Sequence, residues 1–178
     1  MLDSEMEQRI IEISEGDKTA LEKLYQAYRH VVFSLARTIL SSESTAEDVA
    51  QEVFLKIWAS AHTYRIGANP KAWIMGITRN AAIDAMRKTK YEMSTDEVFE
   101  TDFRSQPSLE ETVVNAMTLS EALHTLASDA REIVILRSLA GLTVSEVSKL
   151  TQTPLNTVYW KYHRAIKSLK LLIGKGVL

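Results

Sequence analysis

The chain has 178 residues, 46% of them hydrophobic and 25% charged, enough for one medium domain or two small ones of ordinary soluble composition. It contains no cysteine, which excludes disulfides and thiolate metal sites, and no apolar run long enough to span a bilayer. The opening Met1-Leu2-Asp3-Ser4-Glu5 is acidic, where a secretory signal starts basic and turns apolar, so a cytoplasmic location without membrane insertion is expected.

A formal net charge of -2 argues against a nucleic-acid partner until its distribution is examined. Residues 1–91 carry 12 basic and 12 acidic side chains, which cancel. Residues 92–122 carry 1 basic and 8 acidic, whereas residues 123–178 carry 8 basic and 3 acidic. A basic C-terminal module therefore follows an acidic connector.

In chain order, nearly every periodic stretch reads as helix, and none alternates as a strand should. The first long candidate follows Gly16-Asp17, a break and an N-cap, with Leu21, Leu24, Tyr25, Tyr28, Val31, Leu35 and Ile39 at helical spacing. A second is expected to open at Ser44, with Glu47 in capping-box position and an apolar stripe of Ala46, Val49, Ala50, Val53, Phe54, Ile57 and Trp58. Opposite that stripe lie Asp48, Gln51, Glu52, Leu55 and Lys56, which by themselves read as a plain solvent face. A third is expected to start at Asn69-Pro70 and run to about Arg87, with Gly76 inside it costing about 1 kcal/mol relative to alanine.

The loop from Ser60 to Ala68 carries Tyr64 and Arg65, residue types on which unstacked bases are held. Two readings of Tyr64 stand: a stacking surface for nucleic acid, or a plug at the core edge beside Trp73. Arg79, Asn80, Arg87 and Lys88 on the third helix are further candidates for DNA contact.

Polarity rises and the helical stripe fades from 89 to 107, the mark of a flexible acidic linker, and order is expected to return at Ser108 with Glu111 as its capping partner. Beyond it, a helix through Arg131, Ile133, Leu136 and Leu139 stops at Gly141, a C-terminal cap. Thr143 and Glu146 form a capping box opening a short helix, and the turn Thr151-Gln152-Thr153, with Thr153 expected as cap before a helix-opening Pro154, leads into the last one, whose apolar side holds Val158, Tyr162, Ile166 and Leu169. This is a helix-turn-helix pattern. Lys161, Arg164, Lys167 and Lys170 lie three residues apart with no acid between Pro154 and Leu178, a basic stripe suited to phosphates. Asn156, Thr157, Tyr159, Trp160, Lys161 and His163 stand where base edges would be read. The fold class expected is all-α, two small helical domains joined by a flexible acidic linker, with boundaries at 1–91, 92–107 and 108–178.

The segment Ala46-Glu47-Asp48-Val49-Ala50-Gln51-Glu52-Val53-Phe54-Leu55-Lys56-Ile57-Trp58 resembles the polymerase-binding helix of extracytoplasmic-function sigma factors of bacterial RNA polymerase. Pro70-Lys71-Ala72-Trp73-Ile74 with Ile77 to Asp84 is similar to their promoter-melting and minus-ten helix. Ala130-Arg131-Glu132, Gly141-Leu142-Thr143, Pro154 to Val158 and His163-Arg164-Ala165 resemble their minus-thirty-five domain. The resemblance implies that Asp48, Gln51, Glu52 and Leu55 dock on core RNA polymerase. It also implies that Tyr64, Arg65, Arg79, Asn80, Arg87 and Lys88 meet minus-ten promoter DNA. Thr143, Asn156, Thr157, Tyr159, Trp160, Lys161, His163 and Arg164 would meet the minus-thirty-five element. An anti-sigma protein as a controlling partner is implied as well.

One departure stands out: Tyr159 and Trp160 occupy positions where the family usually has a basic and a small residue, and Asn156 replaces a frequent glycine. The two aromatics suit either thymine methyls or a partner's surface. Within binding proteins the alternative is a repressor or activator with a helical sensor domain, which would bind duplex DNA unaided. An enzyme is not expected: the four histidines have no metal-ligand spacing, no glycine-rich phosphate loop is present, and no carboxylate pair suggests acid–base work, so no cofactor is expected either.

Overall fold

A computed structural model describes residues 2–95 and 119–174. Among these residues the regular structure is helical: α1 (Asp3–Ser14), α2 (Lys18–Ile39), α3 (Glu43–Ser60), α4 (Pro70–Thr95), α5 (Leu119–His124), α6 (Ser128–Val134), α7 (Val144–Thr151) and α8 (Leu155–Gly174). A 3-10 turn follows α3, and a π-helical turn (Ile135–Leu139) extends α6.

The first four helices form one bundle. Asp17 caps α2, its carboxylate accepting from the N–H of Thr19 at 2.7 Å and of Ala20 at 3.3 Å, and the Thr19 bond holds the carboxyl below its usual range. Gly16, at φ +92°, makes the reversal between α1 and α2. Helix α1 escapes the periodicity reading above, although Met6, Ile10 and Ile13 are spaced for one face and all three are buried. They close the bundle against Leu24 and Leu35 of α2, Ile57 of α3 and Ile74 of α4.

Two boundaries differ from expectation. Helix α3 is capped by Ser42 rather than Ser44, with the Thr45 N–H donating to its hydroxyl at 3.3 Å. The Ser44 hydroxyl lies 3.0 Å from that of Ser42 and braces the same turn. Helix α4 opens as expected, the Ala72 N–H donating to Asn69 Oδ1 at 3.0 Å, but it continues to Thr95. The first residues assigned to the linker are thus helical, because backbone hydrogen bonding carries a long helix past the end of its apolar stripe. The rest of that linker, with the Ser108 cap, lies outside the described residues.

The C-terminal helices pack α5, α6 and α7 around α8, with Ala122, Val134, Ala165 and Leu169 buried together. Gly141 has φ +75°, as its role at the helix end requires. At α7 both halves of the capping box form: Thr143 Oγ1 accepts from the Glu146 N–H at 3.3 Å, and the Thr143 N–H donates to Glu146 Oε2 at 2.7 Å. Gln152, at φ 54°, ends α7 and turns the chain toward α8. The Thr153 hydroxyl, expected to cap α8, instead points back to the Thr151 carbonyl at 3.4 Å.

The two helical groups pack on each other. Ile133, Ile135, Leu136, Leu142 and Val147 belong to the same buried cluster as the bundle core. Across this seam Arg79 Nε meets Glu132 Oε1 at 2.8 Å, and Asn69 Nδ2 donates to Glu146 Oε1 at 2.7 Å. Gly76 faces the seam as well, where an added Cβ would sit 3.8 Å from Leu150 Cδ1, an ordinary contact, so space alone does not demand glycine there.

Candidate nucleic-acid and polymerase interfaces

Three surfaces hold the candidate residues. The first is the outer face of α3, where burying Ala46, Val49, Val53, Phe54 and Ile57 turns Asp48, Gln51 and Glu52 outward. Leu55 lies on that face and is 68% exposed, an apolar side chain that the bundle leaves without cover. Lys56 Nζ pairs with Glu52 Oε1 at 2.8 Å, an exposed i,i+4 bridge that adds little stability. A shallow groove beside the face, between α3 and α4, is lined by Asp48, Glu52, Lys56, Asp84 and Lys88.

The second surface is the loop before α4 together with that helix. Here Tyr64 corrects the stacking assignment. Its side chain is only 8% exposed, and its ring meets Trp73 edge to face, with centroids 5.5 Å apart. The hydroxyl is held between Glu7 Oε1 at 3.0 Å and the Ala68 carbonyl at 2.5 Å, while the Gly67 N–H donates to the same Glu7 oxygen at 2.6 Å. Burial, reinforced by the Glu7 contact, pushes the phenol up to about 12. Tyr64 therefore fastens the loop to α1 and presents no free ring face.

The loop tip that remains exposed is Arg65 with Ile66, the latter 71% exposed. Ile66 went unnoticed in the sequence; an isoleucine beside Gly67 at a turn was its signal. On α4, Asn80, Arg87 and Lys88 are exposed, whereas the Arg79 guanidinium is engaged by Glu132 across the seam.

The third surface is the helix-turn-helix. The exposed positions on the N-terminal part of α8 include Asn156, Tyr159, Trp160, His163 and Arg164, with Thr157 half-buried. The Tyr159 and His163 rings lie 4.2 Å apart, and the Arg164 guanidinium sits 5.1 Å from the Trp160 ring centroid. Two residues of the expected set are diverted. Lys161 Nζ is bound by Asp129 of α6, so the open stripe consists of Arg164, Lys167 and Lys170. That lysine hydrogen bond also holds the Asp129 carboxyl below its usual range. The Thr143 hydroxyl is committed to the capping box, where it also donates to Glu146 Oε2 at 2.8 Å.

Among the described residues no group of three or more His, Asp or Glu side chains is arranged to hold a metal, and no helix is long and apolar enough to cross a membrane.

Residues 24–91 match the family model of sigma-70 region 2, and residues 116–169 match that of sigma-70 region 4. The two regions, in that order, define a sigma-type initiation factor rather than an enzyme. The ECF RNA polymerase sigma factor SigW of Bacillus subtilis is 25% identical over 177 residues, covering 93% of this chain and 95% of the relative. SigX of the same organism is 26% identical, covering 83% and 80%. Among solved structures, the sigma factor RpoE in complex with the anti-sigma factor NepR from Bartonella quintana superposes with a TM-score of 0.64 at 25% identity, over 86% of this chain and 96% of that one. CnrH in complex with the cytosolic domain of CnrY has the same fold, with a TM-score of 0.62 at 17% identity over 96% and 98%. The chain belongs to the extracytoplasmic-function sigma factors. It binds core RNA polymerase and directs it to promoters.

Proposed function

We propose that residues 1–91 hold core polymerase and the minus-ten element, that 92–107 tether the two modules, and that 108–178 read the minus-thirty-five element. In this reading Asp48, Gln51, Glu52 and Leu55 form the polymerase dock. Arg65, Arg79, Asn80, Arg87 and Lys88 act at the minus-ten element, and Asn156, Thr157, Tyr159, Trp160, His163 and Arg164 at the minus-thirty-five. The protein works in the cytoplasm, beside the polymerase, under the control of an anti-sigma protein of the kind that RpoE of Bartonella quintana carries in its solved complex.

The observation that carries this reading is the outer face of α3, where an exposed Leu55 sits among Asp48, Gln51 and Glu52. An apolar centre rimmed by polar groups is how a protein dock is built: the leucine is desolvated on binding, and the rim sets orientation. The cations of α4 and α8 then supply phosphate contacts, which position the duplex without reading it.

Gln51→Ala combined with Leu55→Ala tests the dock. Both side chains are exposed, so the double variant should keep the parent's helicity and melting temperature while its co-purification with core polymerase drops at least tenfold. Unchanged polymerase binding would place the dock elsewhere.

A further inference from the structure

The departure at Tyr159 and Trp160 acquires a specific meaning from the surroundings of α8. Residues 155 to 162 hold one cation, Lys161, and that cation is bound to Asp129 on α6. Arg164, one turn further on, rests its guanidinium against the Trp160 ring. The exposed face of the first two turns is therefore Leu155, Asn156, Tyr159 and Trp160, with Leu155 49% and both aromatics 56% exposed. His163 continues the same face and packs on Tyr159.

In a major groove, guanine is most often read by a free arginine or lysine, adenine by the bidentate amide of asparagine or glutamine, and thymine by an apolar contact with its C5-methyl. This helix start offers no free cation, one asparagine amide and two broad apolar rings. We infer that α8 reads thymine methyls with Tyr159 and Trp160, next to an adenine read by Asn156, so that the upstream promoter element is built around adjacent A·T pairs. The inference rests on the proposed assignment of α8 to the upstream element.

Geometry limits the spacing. Asn156 and Trp160 are four residues apart, a rise of about 6 Å along the helix. Base pairs step by about 3.4 Å. The adenine and the thymine pairs therefore fall within about two steps of each other. The rings are also held in place: Tyr159 packs on His163 and Trp160 lies under Arg164, so less rotamer freedom is lost when DNA arrives. Arg164 lies beside the ring, where it meets a phosphate as the helix seats.

The test uses holoenzyme assembled from the full chain and core polymerase on a promoter fragment that it transcribes, with the upstream element located by footprinting. Each thymine in that element is replaced singly by deoxyuridine, which removes the methyl and leaves the pairing edge intact. At one or two positions binding should weaken roughly fourfold, the effect of uncovering one buried methyl-sized group. Holoenzymes carrying Tyr159→Ala or Trp160→Ala should bind the thymine promoter more weakly and no longer distinguish it from the matching deoxyuridine promoter. Trp160→Phe should keep the distinction. Both aromatics are exposed, so the variants should melt with the parent. An upstream element without thymine, deoxyuridine binding equal to thymine at every position, or discrimination that survives both alanine variants would overturn the inference. Failure to initiate at any site would instead contradict the sigma-factor reading itself.

Discussion

Tyr64→Ala should lower stability by about 3–5 kcal/mol, the range for deleting a large buried aromatic. In a chain of this size that corresponds to a fall in melting temperature of roughly 10 °C. The ring is 8% exposed and packs edge-on to Trp73, so its loss leaves a void beside α4. It also leaves Glu7 with fewer partners, although the Gly67 N–H still donates to that carboxylate. Tyr64→Phe separates the two effects: it keeps the ring and removes only the hydroxyl between Glu7 and Ala68, a loss of about 1–2 kcal/mol.

A functional readout distinguishes this from a stacking role. The alanine variant should lose open-complex formation equally on duplex promoters and on templates with a pre-melted bubble, because it damages the loop and not a base contact. Alkali gives an independent check. The Tyr64 phenol is pushed up to about 12 from an ordinary 10.0 in the unfolded chain. Its neutral form is thus favoured on folding, a contribution fully present below about pH 10 and lost as pH rises toward 12. Tyr28, raised to about 12 chiefly by burial, adds to the same window. Stability should decline over that range, with tyrosinate absorbance rising in step. A Tyr64→Ala protein that melts with the parent would contradict the structural role.

The second large effect is expected at the seam. Glu132 and Arg79 pair at 2.8 Å with side chains only 14% and 21% exposed. Breaking a fully buried pair by truncating one partner costs about 3–5 kcal/mol, because the other charge is stranded. Here the residual exposure lets water relieve the stranded group, so Arg79→Ala and Glu132→Ala should each cost about 2 kcal/mol. The pair spans the two modules, so Glu132→Ala should also enlarge the radius of gyration measured by X-ray scattering.

The functional consequences of removing one charge or the other should diverge. In the proposed reading a promoter phosphate and Glu132 compete for the same guanidinium. Glu132→Gln, which keeps an acceptor and drops the charge, should therefore raise holoenzyme formation or promoter opening, whereas Arg79→Ala should lower opening. Identical effects of both on opening would mean that the pair is purely structural.

Much of the fold was legible because its signals are local. Asp17 before α2, the Thr143/Glu146 box and Gly141 each act within a turn or two of where they stand, and each does what its residue type favours. Helix α1 is harder to read because it is largely polar, although Met6, Ile10 and Ile13 carry the period. Three side chains have partners that no local pattern reveals. Tyr64 finds Glu7 57 residues away, Arg79 finds Glu132 53 away and Lys161 finds Asp129 32 away. Nothing in a one-dimensional pattern tells an exposed cation from one already taken by a distant carboxylate. The outer face of α3 was the opposite case. Its exposure follows from the buried stripe alone, but its proposed use as a dock does not, and rests on the likeness to a family.

The most direct measurement is run-off transcription with purified core polymerase on fragmented genomic DNA, with and without the chain. Discrete transcripts that begin at defined sites only when both are present, together with little binding of the chain alone to those fragments, are the expected result. Tight binding of the chain alone to duplex DNA, with no new start sites when polymerase is added, would contradict the account and point to a repressor or activator instead.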